Sequence, residues 1–325
     1  MTKSAEMLWL DAIEAEEGGD REGALSLARE VVQVDEGHSE AWMAVAEWSL
    51  PVPTRGSRAM PDLVQASKAM SAIRRVVSLD PENSKAWSLG GRILVDDLGM
   101  LENALEWWED RRVVAPNDMV PLIEQLSILV RLGYFEEGEN RLELLENLEI
   151  GPNKSIERKI FGIRRMFDSA VKSEKDGIFF PQNEKDEWWN RISMSKNRKP
   201  MSETMFLLTF VMPIVFLLGS AAMMIFGAMP FGSIIVMLII IALYFTILNL
   251  SRGLLDRMNK FAYLLDRAID VETTSGKTCI PSEIRGSKLY YHILQSRAAS
   301  LVERLGLIEE AGEKVSPKWD MEVPF

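Results

Sequence analysis

Side chains that commonly carry catalysis are scarce in this sequence. Its 325 residues include two histidines, His38 and His292, and one cysteine, Cys279. Histidine is the usual general acid or base near neutral pH and a frequent zinc ligand, so two distant histidines supply either role poorly. One cysteine excludes an intramolecular disulfide, which fits a reducing compartment. No Ser/His/Asp or Cys/His grouping is visible, and we therefore predict no enzymatic activity, no cofactor and no metal site.

One short motif suggests nucleotide binding. Gly276-Lys277-Thr278 matches the end of a phosphate-binding loop, but the first glycine of that motif would stand where Val271 does. The preceding residues 254–269 are predicted to form a helix instead of the strand that leads into such a loop. The sequence therefore does not support a nucleotide site.

Charge is distributed unevenly along the chain. Residues 1–150 contain 14 Lys and Arg against 29 Asp and Glu, a net charge of −15, whereas the remainder carries +4. An acidic surface repels the phosphate backbone of nucleic acids, so this half favours a protein partner with a basic face. The alternative is that the acidic residues only keep a helical domain soluble.

A long uncharged segment lies in the second half. Thr204 to Ser251 form 48 consecutive residues without Asp, Glu, Lys or Arg. Residues 205–226 and 231–250 are each long enough to cross the roughly 30 Å hydrocarbon core of a bilayer as a helix, with the turn at 227–230. A buried hairpin of a soluble protein normally carries a polar stripe, which both segments lack. We predict a two-span transmembrane hairpin surrounded by the lipid bilayer.

Positive charges flank the hairpin on both sides, and its turn has none. Because Lys and Arg are retained on the cytoplasmic side, both termini are predicted to be cytoplasmic. The residues predicted to lie at the membrane interface are Trp188, Trp189, Arg191, Lys196, Arg198 and Lys199. Alternatively, the two tryptophans belong to a solvated linker and pack on a neighbouring element.

The acidic half contains a repeated helical pattern. In four segments, apolar residues recur at spacings of three and four around one small residue. Two segments end at a proline, and two are followed directly by an Ala-Trp pair, at 41–42 and 86–87. The small residues are Ala24, Ala69, Ala104 and Gly138.

These features resemble the tetratricopeptide repeat (TPR), a helix-turn-helix unit of about 34 residues. The match is clearest in residues 84–118, where Trp87, Gly90, Trp107 and Pro116 stand at the family's positions. Such units bury their apolar faces only by stacking, so the resemblance implies a helical solenoid. It implies units at 5–38, 39–83, 84–118 and 119–152, with an inserted loop in the second and a capping helix at 155–172.

In the TPR family, the first helix of each unit lines a concave groove that holds a peptide or a partner helix. Only Lys85 and Arg92 resemble the basic clamp with which co-chaperone members hold a terminal carboxylate, so binding of chaperone tails is not expected. For each groove residue, the alternative is an ordinary solvent-facing side chain. Carried over by position, the groove contains Trp9, Ile13, Met43, Glu47, Lys85, Ser88, Arg92, Ile123 and Ser127.

The last residues are predicted to form a small helical domain. A helix ending near Leu307, followed by Val315-Ser-Pro317, resembles the last helix and wing of winged-helix DNA-binding domains. Arg297 and Arg304 would face phosphates there, but Glu303 and its acidic neighbours oppose such contact. The alternative is a helical bundle that packs on the linker or dimerises.

The sequence thus predicts an all-α fold with a TPR-like solenoid, a transmembrane hairpin and a helical C-terminal domain. The predicted boundaries are 1–173, a polar and basic linker at 174–203, 204–251 and 252–325. The predicted function is that of a membrane-anchored adaptor that binds a protein partner in the cytoplasm. The alternative function is that of a membrane-tethered transcription regulator.

Overall fold

The computed structural model describes residues 3–52, 60–148, 154–175 and 177–325. Within these ranges the regular elements are helices. An isolated parallel β-bridge also pairs Thr278 with Lys314. The predicted all-α fold is therefore confirmed for the part of the chain that the structure describes.

The first eight helices form four consecutive contacting pairs, and successive pairs stack on one another. A ninth helix, α9 (Lys154–Ser173), packs on the last pair, and a π-helical turn, Ile93–Asp97, extends the fifth helix. This arrangement is the predicted TPR-like solenoid. The pairs are α1 (Ala5–Glu17) with α2 (Arg21–Val34), α3 (Ser39–Ser49) with α4 (Leu63–Leu79), α5 (Ser84–Arg92) with α6 (Leu101–Val114), and α7 (Met119–Leu132) with α8 (Phe135–Glu146).

The ends of the helices explain why the pairs begin where they do. Each first helix follows a residue whose side chain accepts a hydrogen bond from a backbone N–H of the first turn, which satisfies an otherwise unpaired donor. The indole N–H groups of Trp42 and Trp87 donate to the carbonyls of Glu36 and Pro81, at 3.0 and 2.8 Å. The Ala-Trp pairs therefore fix the connection between units. The capping residues are Ser4, His38, Asn83 and Asp118.

Small residues allow close packing inside the solenoid. The four small residues of the repeat pattern are all buried. Gly90 and Gly91 lie directly under the indole rings of Trp107 and Trp108. The ring of Trp107 also lies 4.4 Å from that of Trp87, centroid to centroid, so the third pair has an aromatic core.

A methyl group at Gly90 has no space. Its carbon would lie 2.5 Å from Cζ2 of Trp107 and 3.0 Å from Cγ2 of Ile73, so we expect Gly90→Ala to reduce the free energy of unfolding by about 1–3 kcal/mol. Urea unfolding monitored by tryptophan fluorescence measures this. Gly162→Ala in α9 is the control, because nothing lies within 4 Å there and alanine favours a helix by about 1 kcal/mol. Equal effects at the two glycines would contradict the close packing of the third pair.

The chain is divided between two compact units, and the solenoid belongs to the first of them. The first consists of residues 1–186, 267–280 and 294–325, and the second of 187–266 and 281–293. Residues 252–325, predicted as a separate C-terminal domain, are shared between these units. The remaining helices are α10 (Glu187–Ser195), α11 (Glu203–Phe206), α12 (Met212–Phe226), α13 (Gly232–Ser275), α14 (Ser282–Arg285), α15 (Lys288–Leu294) and α16 (Ala299–Ala311).

Two helical segments of the second unit are long and apolar enough to cross a membrane. The first runs from Glu203 to Phe226 through a π-helical turn, Leu207–Val211, just before Pro213. The second is α13, whose most apolar window has a mean hydropathy of 2.6 and is only 6% buried. The two helices approach each other closely at Gly219, because a Cβ atom there would lie 3.1 Å from Cγ1 of Ile240.

Candidate partner-binding groove

The predicted groove residues lie on the first helix of each pair. Lys85, Ser88, Arg92 and Ser127 are exposed, and the apolar members are partly buried. Lys85 of α5 forms an ion pair with Glu47 of α3, with 2.7 Å between Nζ and Oε1. The structure therefore brings together two residues that the sequence assigned to one groove.

The apolar end of this set is aromatic. The ring of Trp9 stacks on Trp48, with 6.2 Å between centroids and 20° between planes, and lies 5.2 Å from the ring of His38. Arg21, the first residue of α2, donates hydrogen bonds to the carbonyls of Glu47 and Leu50 at the end of α3. A cation thus neutralises the negative end of α3 and holds it against α2.

Two acidic residues that were not predicted from the sequence, Asp96 and Glu124, also belong to this surface. Asp96 continues the spacing of Lys85, Ser88 and Arg92 by four residues, which is the signal that could have identified it. Burial raises the pKa of Glu124 on α7, and the negative charge of Asp96 raises it further. The α5–α7 part of the groove is therefore acidic beside its two basic residues.

A polar cavity of about 250 Å³ lies where α5 ends, and the C-terminal segment forms part of its wall. Its lining includes Arg92, Asp96 and Asp97 from the solenoid and Ser296 to Ala298 from the segment before α16. Arg92 and Asp97 are joined at 3.2 Å. The predicted groove residue Arg92 therefore remains exposed while it pairs with a buried acidic group of the solenoid.

Helix α16 is fixed to the solenoid by polar contacts. Ser300 and Arg304 donate to the carbonyls of Asp97 and Leu98, each at 2.5 Å, and Glu303 accepts from the backbone N–H of Leu63. Burial lowers the pKa of Arg304. The contact with Leu98 therefore occupies Arg304, one of the two arginines that the winged-helix interpretation would use for phosphate.

A buried ion cluster holds the end of α13 against α7. Asp270 is 2% exposed and accepts two hydrogen bonds from Arg131, at 2.8 and 3.1 Å, and one from Arg297, at 2.9 Å. Nearby, Arg267 pairs with Glu174 at 3.2 Å and donates to the carbonyl of Arg131. The cluster joins segments far apart in sequence, which no periodicity predicts.

The last ten residues run along the solenoid beside α6 and α8. The hydroxyl of Tyr134 donates to Asp320 and accepts from the N–H of Met321, at 2.6 and 2.8 Å. Burial, and next the bond to Asp320, raise the pKa of Tyr134. Arg141 lies over the ring of Phe325, 3.1 Å from its centroid, and burial lowers the pKa of Arg141 to about 10.

The predicted interfacial residues fall into two groups. Trp188 and Trp189 are buried in the second unit, and the ring of Trp188 lies 4.3 Å from the guanidinium of Arg191 and 4.2 Å from Nζ of Lys260. Lys196 pairs with Glu283 at 3.5 Å. The exposed members are Arg191, Arg198 and Lys199.

Comparison with known proteins adds similarity to solved TPR structures. No protein-family model matches the chain, and no curated protein matches it. MamA from residue 41 onward, from Desulfovibrio magneticus RS-1, matches 54% of this chain and 99% of its own, at 14% identity and a TM-score of 0.35. YrrB, described as a TPR protein with an unusual peptide-binding site, matches 52% of this chain and 90% of its own, at 13% identity and a TM-score of 0.33. The fold assignment therefore depends on the stacked helix pairs themselves.

Proposed function

We propose that the protein is a membrane-anchored adaptor whose solenoid binds a protein or peptide partner in the cytoplasm. The observation that carries this proposal is the row of exposed polar side chains on α5 and α7, beside the partly buried apolar residues Trp9, Met43 and Ile123. Such a surface offers apolar anchors and charged groups that fix the orientation of a peptide. The acidic solenoid favours a partner with basic character.

The membrane tether is the second part of the proposal. The two long apolar helices expose many large apolar side chains, which water would disfavour and a hydrocarbon core accommodates. The positive flanking residues favour a topology in which both termini are cytoplasmic. Tethering raises the effective concentration of the solenoid near membrane complexes. A groove with low affinity for its partner therefore suffices for recruitment.

Crosslinking and recovery from membranes tests the groove. We expect Lys85→Glu combined with Arg92→Glu to reduce recovery of specific partners at least fivefold, because two exposed side chains of the row change sign. Lys172→Glu combined with Lys175→Glu is the matched control, since these exposed lysines lie at and after the end of α9. Equal recovery by the two variants would show that the groove is assigned to the wrong surface.

A further inference from the structure

A second cleft lies among α2, α3 and α4, with a volume of about 940 Å³. Its floor is apolar and buried, and includes Val32, Val45 and Ala72. Small residues on α4 create the space, because Ser71 and Ala72 leave the cleft unfilled. An unfilled apolar floor at a protein surface is the usual feature of a docking site.

This cleft lies on the opposite side of α3 from the proposed groove. Residues 42, 45 and 49 line the cleft, whereas 43 and 47 belong to the groove. At about 100° per residue, the two sets point in directions that differ by roughly 145°. The cleft therefore can be occupied while the groove is occupied, and its role does not depend on the proposed function.

Four cations surround the apolar floor, in a half of the chain whose net charge is −15. All four are exposed, and one acidic residue, Glu36, joins them in the lining. Glu36 contacts Arg75 at 3.5 Å, and the two side chains are 79% and 42% exposed, so this surface pair is weak and exchangeable. The cations are Arg29, Lys68, Arg74 and Arg75.

We propose that this cleft binds an acidic amphipathic helix of a protein partner. An apolar stripe would cover the floor, and carboxylates on its flanks would meet the four cations. Lys68 and Arg75 are seven residues apart on α4, which is about 10 Å and two helical turns. The acidic surface elsewhere on the solenoid repels an acidic helix and therefore confines it to the cleft. The same acidic surface disfavours nucleic acid, because nucleic acid binding requires a broad basic surface.

Selection from a displayed peptide library tests this inference on the full chain in detergent. The library holds a fixed leucine stripe at helical spacing and randomises the other positions among Asp, Glu, Lys, Arg and Ser. We expect the selected peptides to be net acidic and to bind more weakly when salt is raised. Enrichment of basic peptides, or of none, overturns the proposal.

Variants locate the site of the selected peptide. Lys68→Glu combined with Arg74→Glu should weaken its binding at least tenfold, and Ser71→Trp, which fills the cleft from an exposed position, should do the same without changing charge. Arg158→Glu combined with Lys159→Glu on α9 is the matched control and should bind normally. Lys85→Glu with Arg92→Glu should also bind normally, which separates this cleft from the groove.

An unchanged affinity in both cleft variants overturns the inference. A second contradicting result concerns lipid, and it is measured with the protein held in nanodiscs of neutral lipid. The inference also fails if the Lys68→Glu/Arg74→Glu variant no longer binds phosphatidylserine vesicles but still binds the selected peptide. That result would assign the cations to an anionic membrane surface instead.

Discussion

Asp270→Asn is expected to destabilise the first unit by about 3–5 kcal/mol. Asp270 is almost fully buried and accepts hydrogen bonds from both Arg131 and Arg297. The asparagine keeps the shape but removes the charge, so two guanidinium groups in a partly buried site lose their counter-ion. Removing one partner of a buried ion pair costs more than the pair contributes, because the remaining charge stays desolvated.

Urea unfolding of the full chain in mild detergent, followed by tryptophan fluorescence, measures this loss. Asp168→Asn on α9 is the control, because that carboxylate is exposed and its loss should change the midpoint little. Amide hydrogen exchange adds a local measurement. Asp270→Asn should raise the exchange rate at the end of α13 and in the turn that precedes α16. Similar midpoints for the two variants would contradict a structural role for the cluster.

The second large effect concerns the apolar helices. Leu217→Asp combined with Ile241→Asp should abolish stable insertion into the bilayer, because each side chain is exposed near the middle of its span. A carboxylate at the centre of a transmembrane helix costs about 3 kcal/mol in insertion, and two such costs act together. Extraction of membranes with alkaline carbonate should release the double variant and leave the wild-type protein in the pellet.

The matched control applies the same chemical change to apolar residues that face water. Val113→Asp combined with Met166→Asp replaces exposed side chains of α6 and α9 in the solenoid, so carbonate resistance should not change. If carbonate released the wild-type protein, or if the control behaved like the hairpin variant, the membrane tether would be wrong.

The C-terminal segment, residues 294–325, does not form a domain of its own but belongs to the first unit. Ser300 and Arg304 of α16 and the bonds of Tyr134 make residues 294–325 part of the first unit. A fragment starting at residue 252 would lack these contacts and expose the apolar face of α16. Assays of DNA or peptide binding therefore require the full chain.

Much of the fold is encoded in short stretches of the sequence. Apolar spacings of three and four, caps such as Asn83 and Asp118, and Ala-Trp pairs act within a few residues, so periodicity alone predicts helix pairs and their order. The uncharged stretch predicts two apolar helices for the same reason, since hydropathy is a local property. Lys85 and Glu47 were assigned to one groove because repeats place equivalent positions side by side.

The tertiary structure decided which distant segments meet. The contact between Arg131 and Asp270 spans 139 residues, and that between Arg304 and Leu98 spans 206, so neither has a signal in any sequence window. It also decided that Arg92 lines a polar cavity with residues of the C-terminal segment and that four cations surround one apolar floor. Local spacing fixes which face of a helix is apolar, but side chains from separate helices form a site only after packing has placed those faces together.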